Sequence, residues 1–130
     1  MISAGIKGTK TVTVTEENTA RVVKSGTLPV FATPALAALI EETAWKSVAE
    51  KLQKGEATVG GSLNLKHLAP TPVGGVVTCR TELTEAAGKK LVFHAEVEDE
   101  SGIIGEAEHV RFVIQEDAFM EKADKRRKDA

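Results

Sequence analysis

The sequence predicts an α+β domain: a curved antiparallel sheet with one long helix on its concave face. Three observations carry this. One strong helix signal, at residues 34–52, is followed by four segments of strand-like alternation. Short turn-forming stretches join those segments, so consecutive strands should pair antiparallel. A lone helix and a one-sided sheet can each bury an apolar surface only against the other.

The elements follow in order. Residues 10–15, Lys-Thr-Val-Thr-Val-Thr, alternate β-branched polar and apolar side chains, as a strand does. Residues 16–33 have no sustained period and include Gly26 and Pro29, which predicts a long ordered loop. Loops of that length in a compact domain tend to be functional. Thr33-Pro34 predicts an N-cap followed by proline at the first helical position, where a missing N–H costs nothing. Good helix formers continue to residue 52, and Gly55 supplies the stop. Strands are expected at about 57–67, 75–84, 90–99 and 103–115. The turns between the last three are Ala-Ala-Gly-Lys at 86–89 and Asp-Glu-Ser-Gly at 99–102. Ile104 to Ile114 has apolar residues on both faces near its end, so its register is open. The tail from Glu116 to Ala130 balances five acidic against five basic residues, including the run Lys125-Arg126-Arg127-Lys128. A solvated, helical or frayed end is expected there.

Composition narrows the function. The chain of 130 residues is the length of one ordinary domain, and 42% apolar residues suffice for a core. A net charge of −2 gives no basic field for nucleic acid. No segment approaches the roughly 20 apolar residues of a membrane span, and no signal-peptide core is present. Cys79 is the single cysteine, and no Cys/His cluster offers a metal site. A soluble protein of a reducing, cytoplasmic compartment is expected.

Three polar residues stand where apolar ones would be expected. On a helical wheel Glu42, Lys46 and Glu50 form an ordinary solvated stripe, whereas Glu41 is flanked by Ala37, Ala38, Ala44 and Trp45. A carboxylate in a buried arc needs partners or a raised pKa. Glu41 is either a general base or acceptor, or a marginal residue that reaches water. His67 shares alternation parity with Val59, Leu63 and Leu65, so it ends a strand on the inward face. A buried carboxylate beside it would set its tautomer and basicity. Thr33 either caps the helix or presents its hydroxyl where the helix dipole favours an oxyanion. His94 shares the polar parity of Glu96 and Glu98 and is expected at the surface, while His109 is undecided. Gly60-Gly61 permits a bulge or a close approach by ligand. The proline turn at 69–75 is a rigid mount for His67 or a plain connection.

The segments Phe31-Ala32-Thr33-Pro34-Ala35-Leu36, Glu41-Glu42 and His67-Leu68-Ala69-Pro70-Thr71-Pro72-Val73-Gly74 resemble hotdog-fold thioesterases of the fluoroacetyl-CoA thioesterase-like group. The resemblance spans about residues 12–114. It implies a dimer with active sites at the subunit interface, and a catalytic threonine, glutamate and histidine falling on Thr33, Glu41 and His67. It places Gly60 near the thioester carbonyl and Arg111 close to the site. Gly61 and Phe31 complete the candidate substrate contacts. The sequence departs from the group at one point: the phenylalanine gate before the helix falls on Thr27.

The resulting expectation is a dimeric acyl-CoA thioesterase, with further pairing to a tetramer open. His67, oriented by Glu41, would activate water or the Thr33 hydroxyl. No cofactor or metal is expected, CoA entering only as part of the substrate. A non-catalytic protein that binds CoA or a small acyl group with the same residues is the alternative.

Overall fold

The computed structural model describes residues 2–127. Strand β1 (Lys7–Thr13) leads through a 3-10 turn (Glu16–Asn18) and a one-turn helix α1 (Ala20–Val23) to the long helix α2 (Thr33–Val48). Strands β2 (Glu56–His67), β3 (Val76–Ala87), β4 (Lys90–Asp99) and β5 (Gly102–Gln115) follow, then helix α3 (Glu116–Asp124). The strands form one antiparallel sheet in the order β1-β3-β4-β5-β2. This arrangement of one sheet and one long helix matches the α+β expectation. It leaves β2, at 12 residues, as an edge strand.

The inward alternation expected on β3 and β4 is present: Val77, Cys79, Thr81 and Leu83 are buried, as are Leu91, Phe93, Ala95 and Val97. They meet Leu36, Leu39, Ile40, Ala44 and Val48 of α2, at i, i+3 and i+4 spacing. Removing such a large buried side chain should cost about 2–5 kcal/mol. The opposite stripe of α2 is only partly covered by its own sheet: Ala38 is exposed and Trp45 is 41% exposed.

Three expectations are corrected. The 16–33 segment is ordered, as expected, but it carries a 3-10 turn and a short helix rather than loop alone. Its short helix is pinned by Ala20 N–H to the Val30 carbonyl, Phe31 N–H to the Thr71 carbonyl and Ala32 N–H to the Asn18 carbonyl. Thr33 is not the N-cap: Ala32 holds that position and makes no side-chain cap bond, so Thr33 lies inside the first turn with its hydroxyl uncommitted to the helix. The parity of β2 also breaks. Pairing jumps from Gly60↔Arg111 to Ser62↔Val110, so Gly61 is a bulge. Val59, opposite the exposed Phe112, therefore leaves the face that Leu63, Leu65 and His67 share. The tail is helical through Asp124, with every residue of α3 exposed. Lys128, the last of the basic run, lies outside the described residues. No helix among the described residues is long and apolar enough to cross a membrane.

Candidate active site

The first cluster forms where the start of α2 meets the end of β2. Thr33 Oγ1 lies 2.7 Å from His67 Nδ1. Pro34 in the first turn fixes the helix start, and Leu68 and Ala69 N–H bonds to the Ile104 carbonyl anchor the chain just after His67. The hydroxyl can donate to Nδ1 only when the ring proton is on Nε2. Nε2 is buried with no hydrogen-bond partner among the described residues. Burial pushes the pKa of His67 below its ordinary 6.5, with a smaller opposing effect from the Ala69 backbone. The imidazole is thus a neutral base at neutral pH, in hydrogen-bond contact with a hydroxyl.

The second cluster lies two helical turns on, about 12 Å along α2. Arg111, 5% exposed, donates from Nε to Thr58 Oγ1 (2.9 Å), from Nη2 to the Thr58 carbonyl (2.9 Å) and from Nη1 to His109 Nε2 (3.1 Å). The same Nη1 stands 3.6 Å from Glu41 Oε1. Glu41 itself is half-exposed, because the stripe around it is largely uncovered. Gly60 sits beneath: a Cβ there would be 3.0 Å from Glu41 Oε1 and 3.5 Å from Arg111 Nη1. Glu41, Gly60, Gly61, Ser62, Leu63 and His109 line a cleft of about 210 Å³.

The model of the fluoroacetyl-CoA-specific thioesterase family matches residues 14–117. The chain belongs to this family. A curated relative, the fluoroacetyl-CoA thioesterase of Streptantibioticus cattleyicolor, is 33% identical over 93 residues, which is 72% of this chain and 67% of that protein. A solved fluoroacetyl-CoA thioesterase superposes with a TM-score of 0.92 at 28% identity, covering 98% of this chain and 99% of that one. A thioesterase-superfamily member from Thermus thermophilus shares the fold, with a TM-score of 0.87 at 24% identity over 97% and 96% of the two chains. The fold is the hotdog fold, and this family member is a thioester hydrolase.

Within this thioesterase the expected residues divide unevenly. Thr33 and His67 meet; Glu41, Gly60 and Arg111 meet; the two groups do not. No hydrogen bond or ion pair joins Glu41 to His67, so the expected pairing is corrected within the chain: the two turns of helix between Thr33 and Glu41 prevent it. Phe31 is 2% exposed and packs in the core with Leu36, so it supports the site from behind and offers substrate no surface. Gly61 serves the bulge and the Phe112 ring, which a Cβ would meet at 2.5 Å. Thr27, on which the resemblance places the gate, is exposed. His94 is on the outer face as expected; partial burial lowers its pKa, but Glu108 at 3.2 Å and Glu96 at 3.6 Å outweigh that and raise it.

His109 is the residue that alternation left undecided. It is 1% exposed and directly beside the cleft. The signal available was parity with Ala107 and Arg111, which the mixed faces of β5 obscured.

Proposed function

We propose that this thioesterase hydrolyses short acyl-CoA thioesters at a site completed by two protomers, with Thr33 and His67 from one and Glu41 from the other. The observation that carries this reading is the 2.7 Å contact between the Thr33 hydroxyl and a depressed-pKa imidazole. His67 takes the proton from the attacking oxygen, that of Thr33 or of a water it positions. The new C–O bond displaces the C–S bond, and CoA leaves as its thiol with the proton from His67. If Thr33 attacks, water then releases the acid. Developing negative charge on the carbonyl oxygen falls near the N-terminus of α2, where the helix dipole is favourable.

Three features support the two-protomer site. Glu41 and the Thr33–His67 pair are about 12 Å apart along one helix, too far to share a carbonyl. The helix stripe carrying Ala38, Glu41 and Trp45 is largely uncovered, and the outer edge of β2, a 12-residue edge strand, has no strand beside it among the described residues. A two-fold axis applies the same contact twice, so antiparallel α2 helices would set Glu41 of one chain opposite Thr33 of the other. The cleft beside Glu41, about 210 Å³, suits a short acyl group. Exposed Thr27 leaves no aromatic gate to select fluoroacetate. Cytoplasmic acyl-CoA pools are the matching substrate source, and CoA is needed only as the leaving group.

The test is free-thiol release across a short-to-medium acyl-CoA panel with wild type, His67→Ala and Glu41→Gln. Release on a short-chain member, largely lost in both variants, is expected. Turnover unchanged in either variant would overturn the site.

A further inference from the structure

His109 is buried, 1% exposed, and has each ring nitrogen engaged. Nδ1 lies 2.8 Å from the Ser62 carbonyl, which can only accept, so Nδ1 carries the proton. Nε2 then holds a lone pair, and it faces Arg111 Nη1 at 3.1 Å, a group that can only donate. A second ring proton would point at the guanidinium. Burial lowers the pKa of His109 first, the Ser62 carbonyl opposes that, and the Arg111 charge lowers it further.

The surroundings explain the arrangement. The Gly61 bulge puts Ser62 opposite Val110, so the Ser62 carbonyl comes within reach of the imidazole one residue on. Thr58 fixes the other two nitrogens of Arg111. Nη1 is the guanidinium nitrogen shared between His109 and Glu41, and its direction is set by the two Thr58 contacts together with the imidazole.

We propose that His109 is a positioning residue for the hydrolysis: locked in its Nδ1–H tautomer, it aims Arg111 Nη1 at Glu41 and so holds the carboxylate over Gly60. This rests on Glu41 acting in turnover. The role is relayed, since His109 needs no contact with substrate. It assigns the bulge a purpose as well, because the Ser62 carbonyl is what selects the tautomer.

Side-chain replacements separate the two halves of this role. Glutamine at 109 presents a carbonyl oxygen near the Nε2 position and can still accept from Arg111. Asparagine reaches the Ser62 carbonyl only, and leucine reaches neither. His109→Asn and His109→Leu should lower kcat about tenfold or more with KM within twofold, whereas His109→Gln should stay within about threefold of wild type. Thr58→Val, approaching Arg111 from its other side, should lower kcat and Thr58→Ser should restore it. The ring nitrogens of His109, followed by 15N NMR in the folded wild type, should report a protonated Nδ1 and a bare Nε2 throughout pH 7–8.

Glutamine no better than leucine, or an imidazole that takes up a second proton within that range, would overturn the proposal. If Glu41→Gln is inactive while all His109 variants turn over normally, only this inference fails. If Glu41→Gln turns over normally, the reading of the active site fails first. Should His109→Leu not fold, the Thr58 pair and the NMR measurement still decide.

Discussion

The two halves of the site are built in opposite ways. The Thr33–His67 pair is held by one hydrogen bond, its hydroxyl on an exposed residue and one ring nitrogen without a partner among the described residues. The Glu41–Arg111–His109 group is a network, with all three guanidinium nitrogens placed and both imidazole nitrogens engaged. The difference teaches what each half does. A group that must move a proton keeps unsatisfied valence and a depressed basicity. A group that must hold a charge still has every direction filled, because a buried, half-paired network is costly.

The comparison can be broken most sharply from the loose side. His67→Ala should reduce kcat by about 10²–10⁴, the usual worth of a general base, while thermal stability changes little. A variant that loses stability in proportion to activity would show that His67 is part of the scaffold. On the network side the expectation reverses in character. Arg111→Met leaves His109 Nε2 and two Thr58 acceptors without their donor, and each such buried loss costs about 1–3 kcal/mol. Denaturant unfolding should show that loss together with reduced turnover; intact stability would mean the network is not what holds Glu41.

Gly60→Ala is a smaller and finer probe. Its Cβ, 3.0 Å from Glu41 Oε1, should displace the carboxylate by a few tenths of an ångström. Turnover should fall about threefold to tenfold, since misplacement of 1 Å can cost about a hundredfold. Unfolding free energy should stay within about 0.5 kcal/mol, the range of substitutions away from a packed core.

The smallest effects are those of pH. Because burial lowers the pKa of His67 below 6.5, the neutral base predominates at 6.5, and the acid limb of kcat should lie below that value. Protonation of His67 and His109 is disfavoured by folding. Their contribution to stability is therefore complete above about 6.5 and is lost as pH falls through their depressed values. His94 has the opposite sign: its raised pKa gives stability at low pH that is lost as pH rises through that value. Melting at pH 5 and pH 7 of wild type and His109→Gln should show a smaller pH difference in the variant.

Much of this was legible in the residues, and the losses have specific causes. The β3 and β4 alternation survives intact because both strands lie in the middle of the sheet with one face on the helix. Glu41 and His67 stand out by position, yet their pairing does not follow, because a wheel shows direction around a helix and ignores distance along it. Apolar neighbours also made Glu41 look buried. Ala38 and Trp45 are apolar and exposed, since this chain alone does not cover them. The bulge was permitted by Gly60-Gly61, but alternation counting runs straight across an extra residue and misassigned Val59. Thr33 read as a cap because a threonine before proline commonly is one; only the fold could show its hydroxyl bonded to His67. His109 was hidden by Val110 and Phe112, which put apolar side chains on the outer face of β5.

The central claim is that catalysis joins Thr33 and His67 of one protomer to Glu41 of the partner, and subunit mixing tests it directly. His67→Ala and Glu41→Gln proteins, each inactive, are dissociated together in equal amounts, reassociated and assayed for thiol release. A shared site restores one intact site in each mixed dimer, so about a quarter of wild-type activity should return. If Glu41 serves the Thr33–His67 pair of its own chain, every site in the mixture carries one defect, and no recovery on mixing would contradict the account.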